Sequence, residues 1–321
     1  MKLTLHLGAF LCLISTAFLH VGCDKESDVV SIQTGLIDIS VTDAPIDNPE
    51  ITGAFITIAG IKLNGDTNLL VNKVTIDLLA YQNGNTKKLG IYPVPVGSYQ
   101  HLELILDIQQ DAQGGIPGCY ISTVDGKKHN LAASPDLLKN ITLPNADINI
   151  TEDVSADLTI DFDLRKLVKA DTTNLAVKYQ LIDDRDIPMA IRVVNGELTG
   201  TIEGVIDLGN HSNDKVLVFA YSSGSFIAAS ETTTSASNGL YFQNAINSSS
   251  IKADGSFTLA FLPRGSYELI FAVYENDQQN QDLSYLGLLD AKSTAGYLLK
   301  DVNVEAKNTV AIAVNTNGLL Q

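Results

Sequence analysis

The chain has 321 residues, 45% of them hydrophobic and 18% charged, enough apolar material for two ordinary globular cores. A formal net charge of −16 repels phosphate, which excludes nucleic-acid partners and electrostatic docking on anionic lipid. Three cysteines, Cys12, Cys23 and Cys119, exclude a disulfide framework and a thiolate zinc site.

In chain order, Lys2 precedes an apolar run from Leu3 to about Leu19, and small Gly22 leads into Cys23. This is the layout of a secretory signal: charged start, apolar stretch, small-residue cut site. Leu19-His20-Val21-Gly22-Cys23 resembles a bacterial lipoprotein signal, with His20 standing where that family usually carries Leu. The resemblance implies a signal peptide over 1–22, lipidation of Cys23, and a membrane partner reached through that anchor. A secreted protein cut nearby, or an uncleaved anchor, is the alternative. Residues 23–33 read as a polar tether. Its Asp24-Lys25-Glu26-Ser27-Asp28 resembles the acidic export signal of surface lipoproteins in Bacteroidetes, whereas the enteric sorting rule reads Asp24 as inner-membrane retention. The expected location is the bacterial envelope, at the outer membrane facing outward, with the periplasmic face as the alternative. No later apolar run has the length of a membrane span.

From Gly35 the pattern is strand after strand. Ile37, Ile39 and Val41 alternate with polar residues, Phe55 to Leu63 reads as a doubly buried strand, and Asn64-Gly65-Asp66 turns it. Val74, Ile76 and Leu78 alternate, as do Leu102, Leu104 and Leu106 against His101 and Glu103. Ala156, Leu158, Ile160, Phe162 and Leu164 alternate strictly with Asp157, Thr159, Asp161 and Asp163, which predicts a strand with one wet face. Helix is scarce: one capped turn over Ser134-Pro135-Asp136-Leu137-Leu138 and another from Leu164 to Lys169. Cys119 follows a Gly/Pro turn and reads as a small packed side chain, a reactive thiol being the alternative.

A second unit begins near Asn195-Gly196. Leu198, Ile202, Ile206 and Leu208 share a face with Gly200 and Gly204, as in a closely packed opening strand. Val216 to Tyr221, Phe257/Leu259/Phe261, Tyr267 to Val273 and Val310/Ile312/Val314 predict further strands. Ser222 to Ser250 reads as a long loop with one strand near Tyr241-Phe242. An internal echo links the halves: Pro95-Val96-Gly97-Ser98-Tyr99 and Pro263-Arg264-Gly265-Ser266-Tyr267 each turn the chain and start a strand on a tyrosine. The expected architecture is all-β: two consecutive antiparallel β-sandwiches, at 34–194 and 195–321, with very little helix.

Several blocks fall in order over Thr34 to Val194: Ser40-Val41-Thr42-Asp43-Ala44-Pro45, Ile76-Asp77-Leu78-Leu79, Gly97-Ser98-Tyr99, Asp161-Phe162-Asp163-Leu164-Arg165 and Ile191-Arg192-Val193-Val194. They resemble the bacterial domain of unknown function 4382 family, whose usual setting is an envelope lipoprotein. Gly200-Thr201-Ile202-Glu203-Gly204, Asp254-Gly255-Ser256-Phe257 and Leu262-Pro263-Arg264-Gly265-Ser266-Tyr267 resemble the transthyretin-like sandwich of carboxypeptidase regulatory domains. That resemblance implies a spacer or binding surface and no chemistry.

Catalytic patterns are sparse. His101, His129 and His211 lack metal spacing, no Gly-x-Ser-x-Gly elbow is present, and no Gly-rich phosphate loop precedes a helix. No cofactor and no nucleotide are expected. Asp43, Asp161 and Asp163 are the candidate cation ligands, weighed against a solvated acidic face, and Asp183-Asp184-Arg185-Asp186 is a second acidic stretch. Tyr120, Tyr241 and Tyr274 are the candidate stacking platforms for a glycan, since the chain has no Trp. The expected function is a non-catalytic envelope lipoprotein presenting sandwiches for adhesion, binding or assembly, with a surface glycan or envelope protein as partner. A glycan-binding lipoprotein and an enzyme with an acidic site are the alternatives.

Overall fold

The computed structural model describes residues 32–46, 48–65, 68–70, 72–132, 140–152, 154–170, 178–183, 186–234, 240–277 and 282–320. The signal, Cys23, the turn expected at 134–138 and part of the acidic stretch at 183–186 lie outside them. Residues Gln33–Gln321 form one compact unit, nearly all β.

The first half supplies β1 (Thr34–Ala44), β2 (Ile51–Leu63), β3 (Val74–Asp77), β4 (Lys87–Pro95), β5 (Gly97–Leu106) and β6 (Tyr120–Thr123). It continues with β7 (Lys128–Ala132), β8 (Ile141–Ile150), β9 (Ser155–Asp163), β10 (Val168–Ala170), β11 (Tyr179–Leu181) and β12 (Ile191–Asn195). One sheet runs β12-β9-β1-β4 and the other β10-β11-β7-β6-β2-β5-β8, with β3 on β2. Period-two alternation decides what lies between them. Ile37, Ile39 and Val41 from β1 meet Leu158, Ile160 and Phe162 from β9, and Ile56, Ile58, Leu102 and Leu104 from the other sheet, all fully buried. Each such side chain contributes about 1.5–3 kcal/mol. β2 is covered on both faces, as its apolar run implies. Its outer side lies under the 107–119 connection, where Thr57 Oγ1 donates to Gly118 O at 2.6 Å and Thr57 N donates to Cys119 Sγ at 3.3 Å. Cys119 is fully buried, burial pushes its thiol up to about 12, and its side chain packs against β2.

The second half supplies β13 (Thr199–Asp207), β14 (Lys215–Ser222), β15 (Asn247–Ser250), β16 (Ser256–Pro263), β17 (Gly265–Asp277), β18 (Asp282–Ser293), β19 (Val302–Val304) and β20 (Thr309–Leu319). The order is β15-β14-β17-β18-β20-β13-β16, with β19 on β17. The two end strands are tied by side chains: Asn247 Nδ2 donates to Ala260 O at 2.8 Å, and Thr258 N to Ser249 Oγ at 3.3 Å. The sheet thus curls round a core that includes Ile202, Val218, Phe257, Leu259 and Phe271. Gly204 is required there, since a Cβ would stand 2.2 Å from the Phe257 ring.

Several expectations need correction. Pairing is mostly antiparallel, but β1 with β9, β7 with β11 and β13 with β20 are parallel. Leu198 is 59% exposed, because residues 196–198 form a 3-10 turn before the strand starts. Phe261 does not continue the inward face. The pairing shifts register between Gly200 and Ile202, Phe261 takes φ 55°, and Leu262 becomes the inward residue. Tyr241-Phe242 is not a strand. Among its described residues, the 222–250 region instead holds the one-turn helix α3 (Ala228–Glu231) and β15, after α1 (Leu164–Leu167) and α2 (Ile187–Ala190) earlier in the chain. No helix among the described residues is long and apolar enough to cross a membrane.

The sequence echo has a structural counterpart. Tyr99 OH donates to Pro95 O at 2.7 Å and Tyr267 OH donates to Pro263 O at 2.5 Å. In both halves the Pro-x-Gly turn carries the chain between two strands that do not pair, β4 to β5 and β16 to β17. The tyrosine hydroxyl closes that corner. Tyr267 is buried and Tyr99 half-buried. Tyr267→Phe should therefore cost about 1 kcal/mol in urea unfolding and Tyr99→Phe less; equal or absent losses would contradict the corner role.

Candidate functional site

The three candidate aspartates do converge. β1 and β9 run parallel with Thr42 opposite Asp161 and Ala44 opposite Asp163, so Asp43, Asp161 and Asp163 emerge together at the ends of neighbouring strands. The expected wet face of β9 is wet only near its start: Thr159 and Asp161 are buried. A water-sized niche there is bounded by Asp161 and Asp163 from β9 and by Ile246 and Asn247 from the second sandwich. The alternation was real, but a second sandwich covers the polar side.

Cations occupy this acidic site. Arg192 Nε donates to Asp161 Oδ2 at 2.7 Å, and Arg165 Nη2 and Lys166 Nζ each lie 3.4 Å from Asp163 Oδ2. Asp43 accepts from Gln82 Nε2 at 3.2 Å and from Leu164 N at 3.3 Å. Burial pushes Asp43 well above the usual carboxylate range, against the Gln82 and Leu164 donors and with the help of Asp163 and Asp161. Burial also raises Asp161, with Arg192 opposing it. Asp163 is different: burial pushes it up, but Arg165 and Lys166 outweigh that and hold it low. No group of three acidic, His or Cys side chains among the described residues is arranged to hold a metal ion.

The cations also reach across to the second sandwich. Arg165, in α1 directly after β9, is 4% exposed. Its Nη1 donates to Tyr241 O at 2.6 Å, its Nη2 to Phe242 O at 3.2 Å, and its guanidinium lies 5.1 Å from the Phe219 ring centroid. Lys166 Nζ donates to Ala245 O at 2.7 Å, and Ser249 Oγ meets Asn83 Oδ1 at 2.9 Å. A planar fork of donors suits three acceptors in fixed directions, which an ammonium could not match. The site is an interface between sandwiches.

The candidate tyrosines divide. Tyr241 and Tyr274 join an aromatic cluster with Phe219, Phe242 and Tyr285, where Tyr241 and Tyr285 are 4.9 Å apart and Phe219 and Phe242 stack at 4.3 Å. Tyr274 is 2% exposed, and Tyr241 and Tyr285 are half-buried. Phe242 reaches the cluster by adopting φ 53°. Buried Glu231 fixes this connection, accepting from Tyr221 OH at 2.7 Å and from Asn244 N at 3.1 Å. Tyr120 lies elsewhere, buried and stacked on Phe55 at 4.4 Å with Lys128 over its ring. The histidines engage local partners: His101 near Glu103, His129 against Tyr179, and His211 on Asp214 at 2.8 Å. Sequence reasoning missed Arg165, Lys166 and Glu231. The available signal was a basic pair placed directly after a strictly alternating acidic strand.

Two outcomes follow. Arg165→Ala removes the donor to the Tyr241 and Phe242 carbonyls and leaves Asp163 with Lys166 alone as its cation, and should cost about 3–5 kcal/mol in urea unfolding; a loss below about 1 kcal/mol would contradict the interface. For Asp43 the folded pKa lies above the unfolded one, so its contribution to stability grows as pH falls through that raised value. Asp163 works oppositely, with stability present above the unfolded carboxylate range and lost as pH falls through its lowered pKa. Asp43→Asn should raise the melting temperature at neutral pH and shrink the gain on mild acidification. An unchanged pH profile would show that Asp43 is not the group responsible.

Comparison with known proteins bears on the first half. No curated protein matches the chain. Among solved structures, a leucine-rich repeat protein from Bacteroides thetaiotaomicron VPI-5482 aligns at 12% identity and TM-score 0.21, over 88% of this chain and 26% of that one. The major pilin subunit BcpA of Bacillus cereus aligns at 10% identity and TM-score 0.22, over 89% of this chain and 71% of that one. The major pilin of Streptococcus pyogenes aligns at 12% and 0.17, over 89% and 99%. The chain thus spans about a quarter of the first of these, and TM-scores at this level carry no argument about fold or function. Residues 34–181, through the end of β11, match the family described as Domain of unknown function (DUF4382).

Proposed function

We propose that this protein is a non-catalytic envelope lipoprotein: a lipid on Cys23, a polar tether, and a two-sandwich unit presented for adhesion, binding or assembly. The observation that carries the reading is the fate of the acidic candidates. Asp161 and Asp163 pair with Arg192, Arg165 and Lys166, while Asp43 is held by Gln82 and Leu164 N. Their polar capacity is taken up within the fold, and the cations beside Asp163 reach on to the second sandwich, which supports a display role over turnover. The second half reads as a transthyretin-like spacer, on Gly200 to Gly204 and Leu262 to Tyr267. The surface-facing outer membrane is the proposed location, supported by the acidic residues after Cys23. A glycan platform gains nothing from Tyr120 and Tyr274, whose rings are buried.

Cys23→Ala should move the protein from the membrane fraction to the soluble fraction; unchanged retention would overturn the lipid anchor. Protease shaving of intact cells, with a known periplasmic protein as control, tests the location. Digestion is the expected result, and protection alongside the control would move the sandwiches to the periplasmic side.

A further inference from the structure

A second recess lies away from the interface cluster, in the second sandwich. The ladder between β17 and β18 ends at Ala272 opposite Leu288. Beyond that rung β18 leaves β17 and pairs with β20, Leu289 facing Leu319. β17 meanwhile is joined from its other end, Leu269 N donating to Leu299 O at 2.8 Å. The strands splay between these points and leave a cleft of about 330 Å³, at the lower end of small-molecule sites. Leu269, Phe271, Leu289 and Leu299 line it, all members of the sandwich core. An apolar body entering here would extend that core.

The same cleft is lined by a buried acid. Glu268 is 4% exposed, and its Oε1 accepts from Phe226 N at 2.6 Å. Among the described residues no cation pairs with it. A carboxylate offers about four acceptor positions, and a buried one is costly without a cation or further donors. The other charged residues at the cleft differ. Asp290 already accepts from Asn317 at 2.9 Å and sits 3.4 Å from Lys292, and Lys300 is exposed at the rim. Of these groups, Glu268 is the one that is buried and has no cation beside it among the described residues.

We propose that this cleft is a binding site for a small alkylammonium amphiphile, its hydrocarbon body on the Leu269–Phe271–Leu289–Leu299 floor and its ammonium donating to Glu268. Glu268 supplies the charge preference and the floor supplies the affinity. This reading is independent of the lipid anchor and of the cell face.

Calorimetric titration tests it on the purified full-length protein, with each probe titrated into buffer as the blank. The probes are hexylammonium, hexanol and hexanoate. The expected result is saturable binding of hexylammonium at one site per chain, about tenfold tighter than hexanol, with hexanoate weakest. Glu268→Gln should remove that tenfold preference and leave hexanol unchanged, since glutamine can still accept from Phe226 N. Ala291→Phe, which fills the cleft from β18, should abolish binding of all three. Absence of saturable hexylammonium binding would overturn the proposal. So would hexanoate binding as tightly as hexylammonium, which would assign the cleft to Lys300, or unchanged binding by Ala291→Phe. Should Glu268→Gln fail to fold, the rank order of the three probes and the Ala291→Phe result decide the matter.

Discussion

A guanidinium cannot be buried without acceptors for its donors, and Arg165 is almost fully buried. Its position makes that requirement a constraint on the whole chain. α1 follows β9 immediately, so the core strand that brings Phe162 into the first sandwich also fixes where the guanidinium stands. The acceptors it finds are Asp163 on its own side and the carbonyls of Tyr241 and Phe242 on the other. The 241–246 segment must therefore be held in shape, and Glu231, Asn244 and the left-handed backbone of Phe242 do so. Well-packed hydrophobic residues of similar volume often match such a pair in raw stability, but they carry no directional hydrogen bonds to set one orientation.

The same economy of local devices recurs in the two corners. A Pro-x-Gly turn moves the chain between unpaired strands, and a tyrosine hydroxyl returns to the proline carbonyl four residues back. Proline has no N–H to satisfy at such a corner, and its carbonyl needs a partner. The tyrosine supplies that partner while its ring stays with the apolar residues. Close approach is the other recurrent device: Gly204 lets β13 pass over the Phe257 ring, where any side chain would collide.

Much of this was legible in the sequence because alternation is a local code. The inward residues of β1, β5 and β9 follow from their period alone, as does the double burial of β2. What alternation does not encode is what lies against the polar face. Asp161 reads as solvated until a second sandwich is placed over it, and Tyr274 reads as a ring on a surface until Phe226, Tyr241 and Phe242 join it in one cluster. The bulge that turns Phe261 aside is invisible for a related reason. It is set by the register of β16 on β13, a long-range property, and not by the residues of β16 themselves. The candidate aspartates were found together, but their role was misread because the cations that engage them come from outside the acidic pattern.

Residues Gln33–Gln321 form one compact unit, and the buried cations Arg165 and Lys166 couple its two sandwiches. Differential scanning calorimetry of the purified protein tests this most directly, by comparing the measured enthalpy with the value obtained from the shape of the transition. One endotherm in which the two enthalpies agree is the expected result. Two resolved endotherms, or a calorimetric enthalpy well above the van't Hoff value, would show the sandwiches unfolding separately and would contradict it.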